Sequence, residues 1–278
     1  MNVKQKLKKF FFPTRYKLKQ LTKQIEDMKG DVETNCRQVM SLAEMKYHVS
    51  LPTIPPKHLQ VRVAGSYYGE FFENGRSMFR DIQEILGKHG LDMLAFGKVL
   101  DFGCGCGRTL IPLSLLANPL KLSGTDIDAE TIAWLKGNYS CFNDLDVNGH
   151  APPTKYKTGE FDFIYSISIF THLPEDMQCA WLKELSRIIK PGGHGIFSTH
   201  GKNHFGHLRS GDLGTLSEKG FCYSDFGSTE GLPDFYKTSF QTPDYIKREW
   251  ARYFDVLAVY EQNIGQHQDA VLVRKRPD

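Results

Sequence analysis

The feature that most constrains the fold of this 278-residue chain is a run of alternating glycines behind an apolar, strand-like segment. Gly103, Gly105 and Gly107 follow the segment Val99–Phe102, and the helix-like stretch Thr109–Leu116 comes directly after them. Glycine tolerates positive φ angles and lets a ligand approach the main chain closely. A strand, a glycine-rich turn and a helix in this order predict one of several kinds of nucleotide-binding turn.

The charge beside these glycines indicates which ligand the turn accepts. The spacing is G-x-G-x-G rather than the G-x-G-x-x-G of dinucleotide sites, and Asp101 lies at the end of the strand. A carboxylate repels a pyrophosphate but attracts an ammonium or sulfonium group, so the turn suits a cationic nucleoside–amino-acid ligand better than NAD or ATP. The next strand-like run ends in Asp126, which can accept hydrogen bonds from ribose hydroxyls, and Ile127 is available to face the adenine.

Strand-like and helix-like segments alternate from about Arg62 onward. This alternation predicts βαβ units and one α/β domain with a parallel sheet. Besides Thr109–Leu116, the predicted helices are Phe79–His89, Glu130–Asn138, Asp176–Ile189 and Pro243–Tyr253. The predicted strands are Lys98–Phe102, Lys121–Thr125, Phe161–Ser166, Gly195–Thr199, Val256–Tyr260 and Ala270–Arg274.

Four segments together resemble motifs of the class I S-adenosylmethionine-dependent methyltransferases, and the likeness extends from about residue 99 to residue 274. Asp101–Gly107 resembles the first motif of the family, and Asp126–Ile127 resembles the second. Phe161–Ser166 resembles the fourth strand, and Leu185–Gly193 resembles the turn before strand five. The resemblance implies an α/β, Rossmann-like, seven-stranded methyltransferase sheet whose last strand is inserted antiparallel between its neighbours. It also implies S-adenosyl-L-methionine as the cofactor and methyl transfer as the activity.

The same resemblance implies roles for individual residues. Asp101 and the glycine backbone are expected to hold the methionine part of the cofactor, and Asp126 is expected to hold its ribose. Val147 and Asn148 are expected to border the adenine, and Ser166 to line the floor near the methyl group. The expected cofactor-binding residues are Asp101, Gly103, Cys104, Gly105, Gly107, Arg108, Asp126, Ile127, Val147, Asn148 and Ser166.

Three further segments, Arg62–Gly65, Phe170–Pro174 and Gly265–Asp269, resemble a bacterial subgroup that often accompanies surface-polysaccharide or glycan biosynthesis. This likeness favours O-methylation of a sugar, glycan or small-molecule acceptor. Base N-methylating enzymes resemble one another in an Asn/Asp-Pro-Pro-aromatic motif after strand four, where this chain has Ser166–Phe170. A nucleic-acid partner is therefore not expected. Nucleic-acid or N-methylation and a non-catalytic cofactor-binding scaffold remain the alternatives.

Methyl transfer to a hydroxyl benefits from a base, and histidine has a suitable intrinsic pKa. Ligands of open α/β sheets bind beyond the carboxyl ends of the parallel strands. His172 follows strand four, His200 follows strand five, and His267 lies with Asp269 in the loop before the last strand. We hypothesise that His267 or His200 is the base and that Asp269 orients it, as the carboxylate of a catalytic relay does. Loop packing or helix capping would be a sufficient explanation for each of these histidines.

No metal site is predicted, because the histidines and acids lack a compact H-x-x-x-H or paired-acid motif. Tyr67, Tyr68, Phe71 and Phe72 are expected either to cover the substrate or to form an aromatic helix that packs on the core. The stretch Gly201–Phe240 shows little regular pattern but contains many aromatic residues. We expect it to form an irregular loop that contributes to the acceptor pocket.

The first fifty residues have a composition of their own. Basic residues adjoin aromatic ones within Lys4–Phe12, which suits either contact with an anionic membrane or a solvated tail. From Leu18 to Leu42 apolar residues recur in alternating steps of three and four, with Asn35 at one such position. This spacing predicts a coiled coil, and hence a homo-oligomer, or else an amphipathic helix that folds back on its own domain.

The predicted organisation is a basic tail and helix at 1–50, a proline-rich linker at 51–61 and a methyltransferase domain at 62–278. No apolar run reaches the roughly twenty residues that a transmembrane helix needs. A cytoplasmic location is therefore expected, with peripheral membrane contact left open. The formal net charge of +3 names no partner by itself.

Overall fold

The computed structural model describes residues 21, 24, 25, 52–64, 70–116, 121–225 and 237–277. The chain divides into two compact units, Met1–Thr53 and Ile54–Asp278. In the first unit, residues 21, 24 and 25 are helical. The predicted basic tail, most of the predicted coiled coil and both Tyr67 and Tyr68 lie outside the described residues, so those expectations remain predictions.

The second unit contains a seven-stranded sheet with the order β3-β2-β1-β4-β5-β9-β8. Strands β1 to β5 pair in parallel, whereas β9 runs antiparallel to both β5 and β8. The expected α/β, Rossmann-like sheet with an inserted antiparallel last strand is therefore confirmed. Its strands are β1 (Lys98–Phe102), β2 (Lys121–Asp126), β3 (Asp144–Val147), β4 (Phe161–Ser166), β5 (Ile189–Thr199), β8 (Asp255–Ile264) and β9 (Gln268–Arg274).

Helices cover the sheet, and several begin where the sequence did not predict them. Helix α1 begins at Lys57, inside the segment predicted as a linker, and α2 begins eight residues before the predicted Phe79. The predicted helix at 243–253 ends at Glu249 and continues as the 3₁₀ turn Trp250–Arg252. The α-helices are α1 (Lys57–Ala64), α2 (Phe71–Lys88), α3 (Leu110–Leu116), α4 (Ala129–Asn138), α5 (Glu175–Ile188), α6 (Ser210–Lys219) and α7 (Pro243–Glu249).

The prediction of an irregular loop at Gly201–Phe240 is wrong for its described part. This insertion contains a 3₁₀ helix at Lys202–His207, then α6, and a two-stranded antiparallel sheet of β6 (Phe221–Ser224) and β7 (Thr238–Gln241). Two main-chain hydrogen bonds attach β7 to the loops beyond the main sheet, from Ser239 N to Thr171 O at 2.8 Å and from Gln241 N to His200 O at 3.0 Å. The insertion therefore lies against the loops that follow β4 and β5.

The hydrophobic core lies on both faces of the main sheet, because side chains alternate along each strand. Val99 and Phe163 are paired residues that pack on one face, and their neighbours Leu100 and Ile164 pack on the other. Burial on both faces is typical of parallel sheets with helical crossovers. The resulting register pairs Asp101 with Tyr165 at the carboxyl ends of β1 and β4.

Candidate active site

A cavity of about 350 Å³ lies at the carboxyl ends of β1, β2 and β4. Its volume falls at the lower end of the range typical of small-molecule sites. The turn after β1, the loops after β2 and β4, and helix α1 all contribute to its wall. This is the edge at which open α/β sheets bind their ligands.

The glycine turn after β1 forms part of the cavity wall and requires glycine for two reasons. Gly103 and Gly105 have φ angles of 85° and 51°, in the left-handed region that other residues rarely adopt. A Cβ atom at Gly103 would overlap the side chain of Ile169, and one at Gly105 would overlap Val63. The turn is fixed to the end of β2 by a hydrogen bond of 2.7 Å from Gly105 N to Asp126 Oδ2.

Two buried carboxyl groups stand at this turn. Burial raises the pKa of Asp101 to about 7. The Tyr165 hydroxyl and the charge of Arg108 oppose this rise, and the charge of Asp126 adds to it. Burial also raises the pKa of Asp126, while hydrogen bonds from the main-chain N–H groups of Asp128 and Gly105 oppose the rise. A cationic group that entered the cavity would stabilise the ionised carboxylates, so the site suits a positively charged ligand.

Most of the expected cofactor-binding residues line this one cavity. They are Asp101, Gly103, Cys104, Gly105, Arg108, Asp126, Ile127 and Asn148. Three do not: Gly107 faces Ile111 and Leu135, Ser166 is fully buried beneath the cavity edge, and Val147 is 43% exposed to solvent.

The cavity also includes Arg62, from the segment Arg62–Gly65, and residues that the sequence analysis did not single out, among them Asp128, His150, Ser168 and Trp181. Asp128 could have been recognised as a helix cap, because its Oδ1 accepts hydrogen bonds from Glu130 N and Thr131 N at the start of α4. His150 and Trp181 carry no local sequence signal. They meet where Trp181 Nε1 donates to the His150 carbonyl oxygen at 3.3 Å.

Ser168 has the most constrained backbone in the loop after β4. Its φ angle is 63°, an unusual value for a residue other than glycine. Ser168 N donates to Ser198 Oγ at 2.7 Å, and Gln268 Nε2 donates to Ser168 Oγ at 2.9 Å. Strained residues that the surrounding structure holds in place are concentrated at binding and catalytic sites. Ser168 is therefore a candidate for contact with the second substrate.

The predicted catalytic histidines form a row that does not line the cavity. The ring centres of His172 and His200 are 6.0 Å apart, those of His200 and His204 are 4.3 Å apart, and those of His204 and His267 are 6.0 Å apart. His172 N donates to the Ile169 carbonyl at 3.0 Å, so the row lies next to the loop after β4. This arrangement agrees with the expectation that the loops after β4 and β5 and the loop before β9 lie at one edge of the sheet.

The electrostatics of the row limit which histidine can act as a base. Burial lowers the pKa of His200 to about 3, and the neighbouring imidazoles of His204, His172 and His267 add to the effect. Burial also lowers the pKa of His172. An imidazole whose pKa is so low is a weak proton acceptor at neutral pH. His200 is therefore poorly suited to the role that we hypothesised for it.

The hypothesised relay through Asp269 is not formed in this structure. Asp269 Oδ1 accepts a hydrogen bond of 3.0 Å from Gln262 N, and the carboxyl group lies against the main chain of Gly201. Burial raises the pKa of Asp269 to about 6, with the hydrogen bond from Gln262 opposing the rise. His267 Nδ1 instead lies 2.8 Å from the Gly265 carbonyl oxygen. Asp269 thus fixes a turn of main chain rather than the orientation of a histidine.

The described residues contain neither a candidate metal site nor a helix that could span a membrane. Within the described ranges, no group of three or more histidine, cysteine, aspartate or glutamate side chains has a geometry that could hold a metal ion. The helices of the described part of the chain are all too short or too polar to cross a bilayer.

A model of a methyltransferase domain family matches residues 70–258. Two tRNA N(3)-methylcytidine methyltransferases of Schizosaccharomyces pombe are similar to the chain. Trm140 is 26% identical over 195 residues, which cover 64% of this chain and 62% of the relative. Trm141 is 26% identical over 137 residues, which cover 46% of this chain and 55% of the relative. A ubiquinone biosynthesis O-methyltransferase of Sodalis glossinidius is 30% identical over 115 residues, covering 39% and 43%. The chain thus spans less than two thirds of the length of each of these relatives.

Solved structures agree with the fold. A SAM-dependent methyltransferase of Methanosarcina mazei is 19% identical with a TM-score of 0.51, covering 69% of this chain and 97% of that one. An S-adenosylmethionine-dependent methyltransferase of Clostridium acetobutylicum is 14% identical with a TM-score of 0.51, covering 72% and 92%. At these identities the likeness concerns the architecture alone.

Proposed function

The chain belongs to the class I S-adenosylmethionine-dependent methyltransferases, and from that premise we propose that it methylates an oxygen atom of a small-molecule or glycan acceptor. S-Adenosylmethionine is the cofactor of this family. The observation that carries the proposal is the cavity at the glycine turn, where buried carboxyl groups surround a space of small-molecule size.

The residues of the cavity fit this cofactor in charge and in shape. Asp101 would attract the cationic methionine end beside Gly103 and Gly105, which leave the main chain uncovered by side chains. Asp126 accepts hydrogen bonds from two main-chain N–H groups and has further lone pairs, which would accept hydrogen bonds from the ribose hydroxyls. Ile127 and Asn148 would border the adenine. When bound, the cofactor supplies an electrophilic methyl group on a sulfur that leaves as a neutral thioether.

The protein's part in the reaction is to align the acceptor and exclude water. We place the acceptor beside Ser168 and Ile169, because these residues line the cavity at the end of β4 and Ser168 is held in place by Ser198 and Gln268. A new O–C bond forms as the C–S bond breaks, and the acceptor hydroxyl loses its proton. His267 does not itself line the cavity, but it directly precedes Gln268, which donates to Ser168 Oγ. It is the proposed proton acceptor, since the low pKa of His200 removes the other hypothesised base.

The charges around the cavity favour a neutral acceptor over a polyanion. Asp101, Asp126 and Asp128 line the cavity together with two arginines, Arg62 and Arg108. Arg62 is already paired with two carboxylates. A phosphate-rich acceptor would find few available positive charges on this wall, whereas a sugar needs only hydrogen-bonding groups and apolar surface. The resemblance to a glycan-associated bacterial subgroup supports the same acceptor class.

RNA is the second candidate acceptor. The similarity to two proteins named as tRNA methyltransferases stands against the expectation that nucleic acid is not a partner. The likeness covers 64% of this chain for trm140 and 46% for trm141. Transfer to a base nitrogen would use the same cofactor site with a different acceptor surface.

One experiment separates these acceptors. The purified protein is incubated with methyl-labelled S-adenosylmethionine and, in parallel, with nucleotide sugars and oligosaccharides or with unmodified RNA. We expect mass gain of one methyl group in the sugar fraction, loss of this activity in Asp101→Asn, and retention in Asp144→Asn. Asp144 pairs with Lys155 and does not line the cavity, so it is the matched control. Labelling of RNA alone would establish the second candidate and refute the first, and labelling of neither would refute both.

A further inference from the structure

The loop after β4, residues 167–174, is fixed by side chains that bond to its main chain. Four of its residues line the cavity on the side where we place the acceptor: Ile167, Ser168, Ile169 and Leu173. Gln178 Nε2 donates to the carbonyl oxygens of Phe170 at 3.0 Å and of Leu173 at 2.9 Å. Gln241 Nε2 also donates to the Phe170 carbonyl oxygen, at 3.3 Å. The loop is neither helix nor strand, so these bonds replace the partners that regular secondary structure would supply.

The two glutamines also bond to each other. Gln241 Nε2 donates to Gln178 Oε1 at 2.9 Å, across 63 residues of sequence. Gln178 lies on α5 and Gln241 on β7, and their exposed fractions are 1% and 0%. We refer to these two residues as the glutamine pair. The pair connects the loop both to the helix that follows it and to the insertion.

The atoms around the glutamine pair fix the orientation of both amides. Gln178 Nε2 already faces two carbonyl oxygens, so Gln178 meets Gln241 through its Oε1 atom. Gln241 must then present its nitrogen, because an oxygen there would face Gln178 Oε1 and the Phe170 carbonyl oxygen. Turning either amide over would bring oxygen against oxygen. The pair therefore has one arrangement, which holds the Phe170 carbonyl group in one place.

The glutamine pair bonds to the loop two residues beyond Ser168, whose φ angle is 63°. Such a backbone conformation persists where the surrounding structure enforces it. Ser198 on β5 and Gln268 on β9 hold Ser168 from the side of the main sheet. The glutamine pair holds Phe170 from the side of α5 and the insertion. Ser168 and Ile169 thus lie between two fixed points of the loop.

We infer that Gln178 and Gln241 are positioning residues for the acceptor. By fixing the main chain at Phe170, they keep Ser168 and Ile169 in the shape that receives it. The inference rests on the proposed function, because it takes the acceptor to lie beside this loop. Neither glutamine lines the cavity, so both act through the loop rather than by touching a ligand. Loss of the pair therefore weakens acceptor binding and leaves cofactor binding unchanged.

The test replaces each amide with methionine, which is similar in length and has no hydrogen-bond donor. The variants are Gln178→Met and Gln241→Met, with Gln83→Met as the control. Gln83 lies on α2 and does not line the cavity. Its amide likewise bonds to a neighbouring segment, by accepting from Met93 N at 3.0 Å and donating to Asp92 Oδ1 at 2.9 Å. The control thus removes an amide of the same kind from a place remote from the acceptor.

Steady-state methylation gives KM and kcat for the sugar or RNA fraction that accepts methyl groups, and calorimetry gives the Kd of S-adenosylhomocysteine. We expect KM to rise about three- to tenfold in Gln178→Met and in Gln241→Met, because each variant loses hydrogen bonds that hold the loop. The double variant should raise KM by less than the product of the two single effects, since the two side chains bond to each other. The Kd should not change in any of them. Gln83→Met should lower the Tm but leave both KM and Kd unchanged.

Hydrogen exchange reports on the loop without any acceptor. Ser239 N donates to the Thr171 carbonyl oxygen at 2.8 Å, and His172 N donates to the Ile169 carbonyl oxygen at 3.0 Å. We expect both amide hydrogens to exchange faster in the two glutamine-pair variants than in the wild type, because the loop opens more often. In Gln83→Met they should exchange at the wild-type rate.

Each possible result has a defined meaning. A wild-type KM in both glutamine-pair variants would overturn the inference, whatever happens to the Tm, and so would wild-type exchange of the loop amides. A Kd that rises in parallel with KM would also overturn it, because the pair would then support the whole site. If one variant fails to fold, the other decides. Failure of any fraction to accept methyl groups would refute the proposed function and the inference with it, whereas methylation with an unchanged KM would refute the inference alone.

Discussion

The ionisation of Asp101 should make cofactor binding depend strongly on pH. Its side chain is 3% exposed, and burial raises its pKa to about 7 in the free protein. The ionised form attracts the cationic end of the cofactor, and binding therefore favours loss of the proton. Since the free protein is about half protonated at pH 7, binding there should release close to half a proton from this group.

The size of the effect follows from the pKa. If only the ionised form binds well, the apparent Kd rises about tenfold between pH 8 and pH 6. Asp101→Asn should bind more weakly at pH 8 and show a flatter profile. The raised pKa also means that ionised Asp101 destabilises the free protein. This cost is absent below the unfolded-state value of 3.8, grows between pH 3.8 and about 7, and stays constant above that at about 4 kcal/mol. Asp101→Asn should therefore raise the Tm of the free protein at pH 8.

Isothermal titration calorimetry with S-adenosylmethionine at pH 6, 7 and 8 provides the assay. Titrations in buffers of different ionisation enthalpy give the number of protons released. Asp144→Asn, which changes a partly exposed acid outside the cavity, should retain the wild-type profile. A Kd that stays constant from pH 6 to pH 8, with no proton release, would refute the reasoning about Asp101.

Three further predictions concern the turn and the histidines. Gly105→Ala should weaken S-adenosylmethionine binding more than tenfold in a calorimetric titration, because the new Cβ atom would meet Val63 and the φ angle at this position is positive. The control Gly87→Ala, where space is open, should bind the cofactor normally and gain about 0.5–1 kcal/mol of stability. Equal affinities of the two variants would contradict the packing argument. His267→Gln should lower kcat for the acceptor found by methyl labelling without changing cofactor Kd, and an unchanged kcat would remove His267 as the base. Because burial lowers the pKa of His200 to about 3, the unfolded chain binds an extra proton below about pH 6.5. Chemical denaturation should therefore show stability falling from pH 6.5 towards pH 3, less steeply in His200→Gln, and equal slopes would show that His200 is not the cause.

The glycine turn and its acids were predictable because their signal is local. The sequence from Asp101 to Gly107 specifies a strand end, a turn and the position of a carboxylate, and the structure places them as expected. The seven-stranded sheet with its inserted antiparallel last strand followed from the family likeness, and the α/β class followed from the alternation of segments. The short strand β3 was missed, since Asp144–Val147 alternates charged and apolar residues over only four positions.

The contacts that complete the site depend on residues far apart in the chain. Arg62 meets Asp128 across 66 residues, and Ser168 meets Gln268 across 100 residues, so no spacing rule reveals either pair. The histidines were correctly expected near one edge of the sheet. Their protonation could not be predicted, because the low pKa of His200 arises from burial by the insertion and from imidazoles brought close by folding.

A crystal structure of the protein with S-adenosylmethionine tests the central claim most directly. We predict that the amino-acid end of the ligand lies beside Asp101 and the main chain of Gly103 and Gly105, with Val63 of α1 covering it. A ligand bound elsewhere, or a nucleotide diphosphate seated on this turn in its place, would contradict the assignment of the cavity as a site for a positively charged sulfur donor.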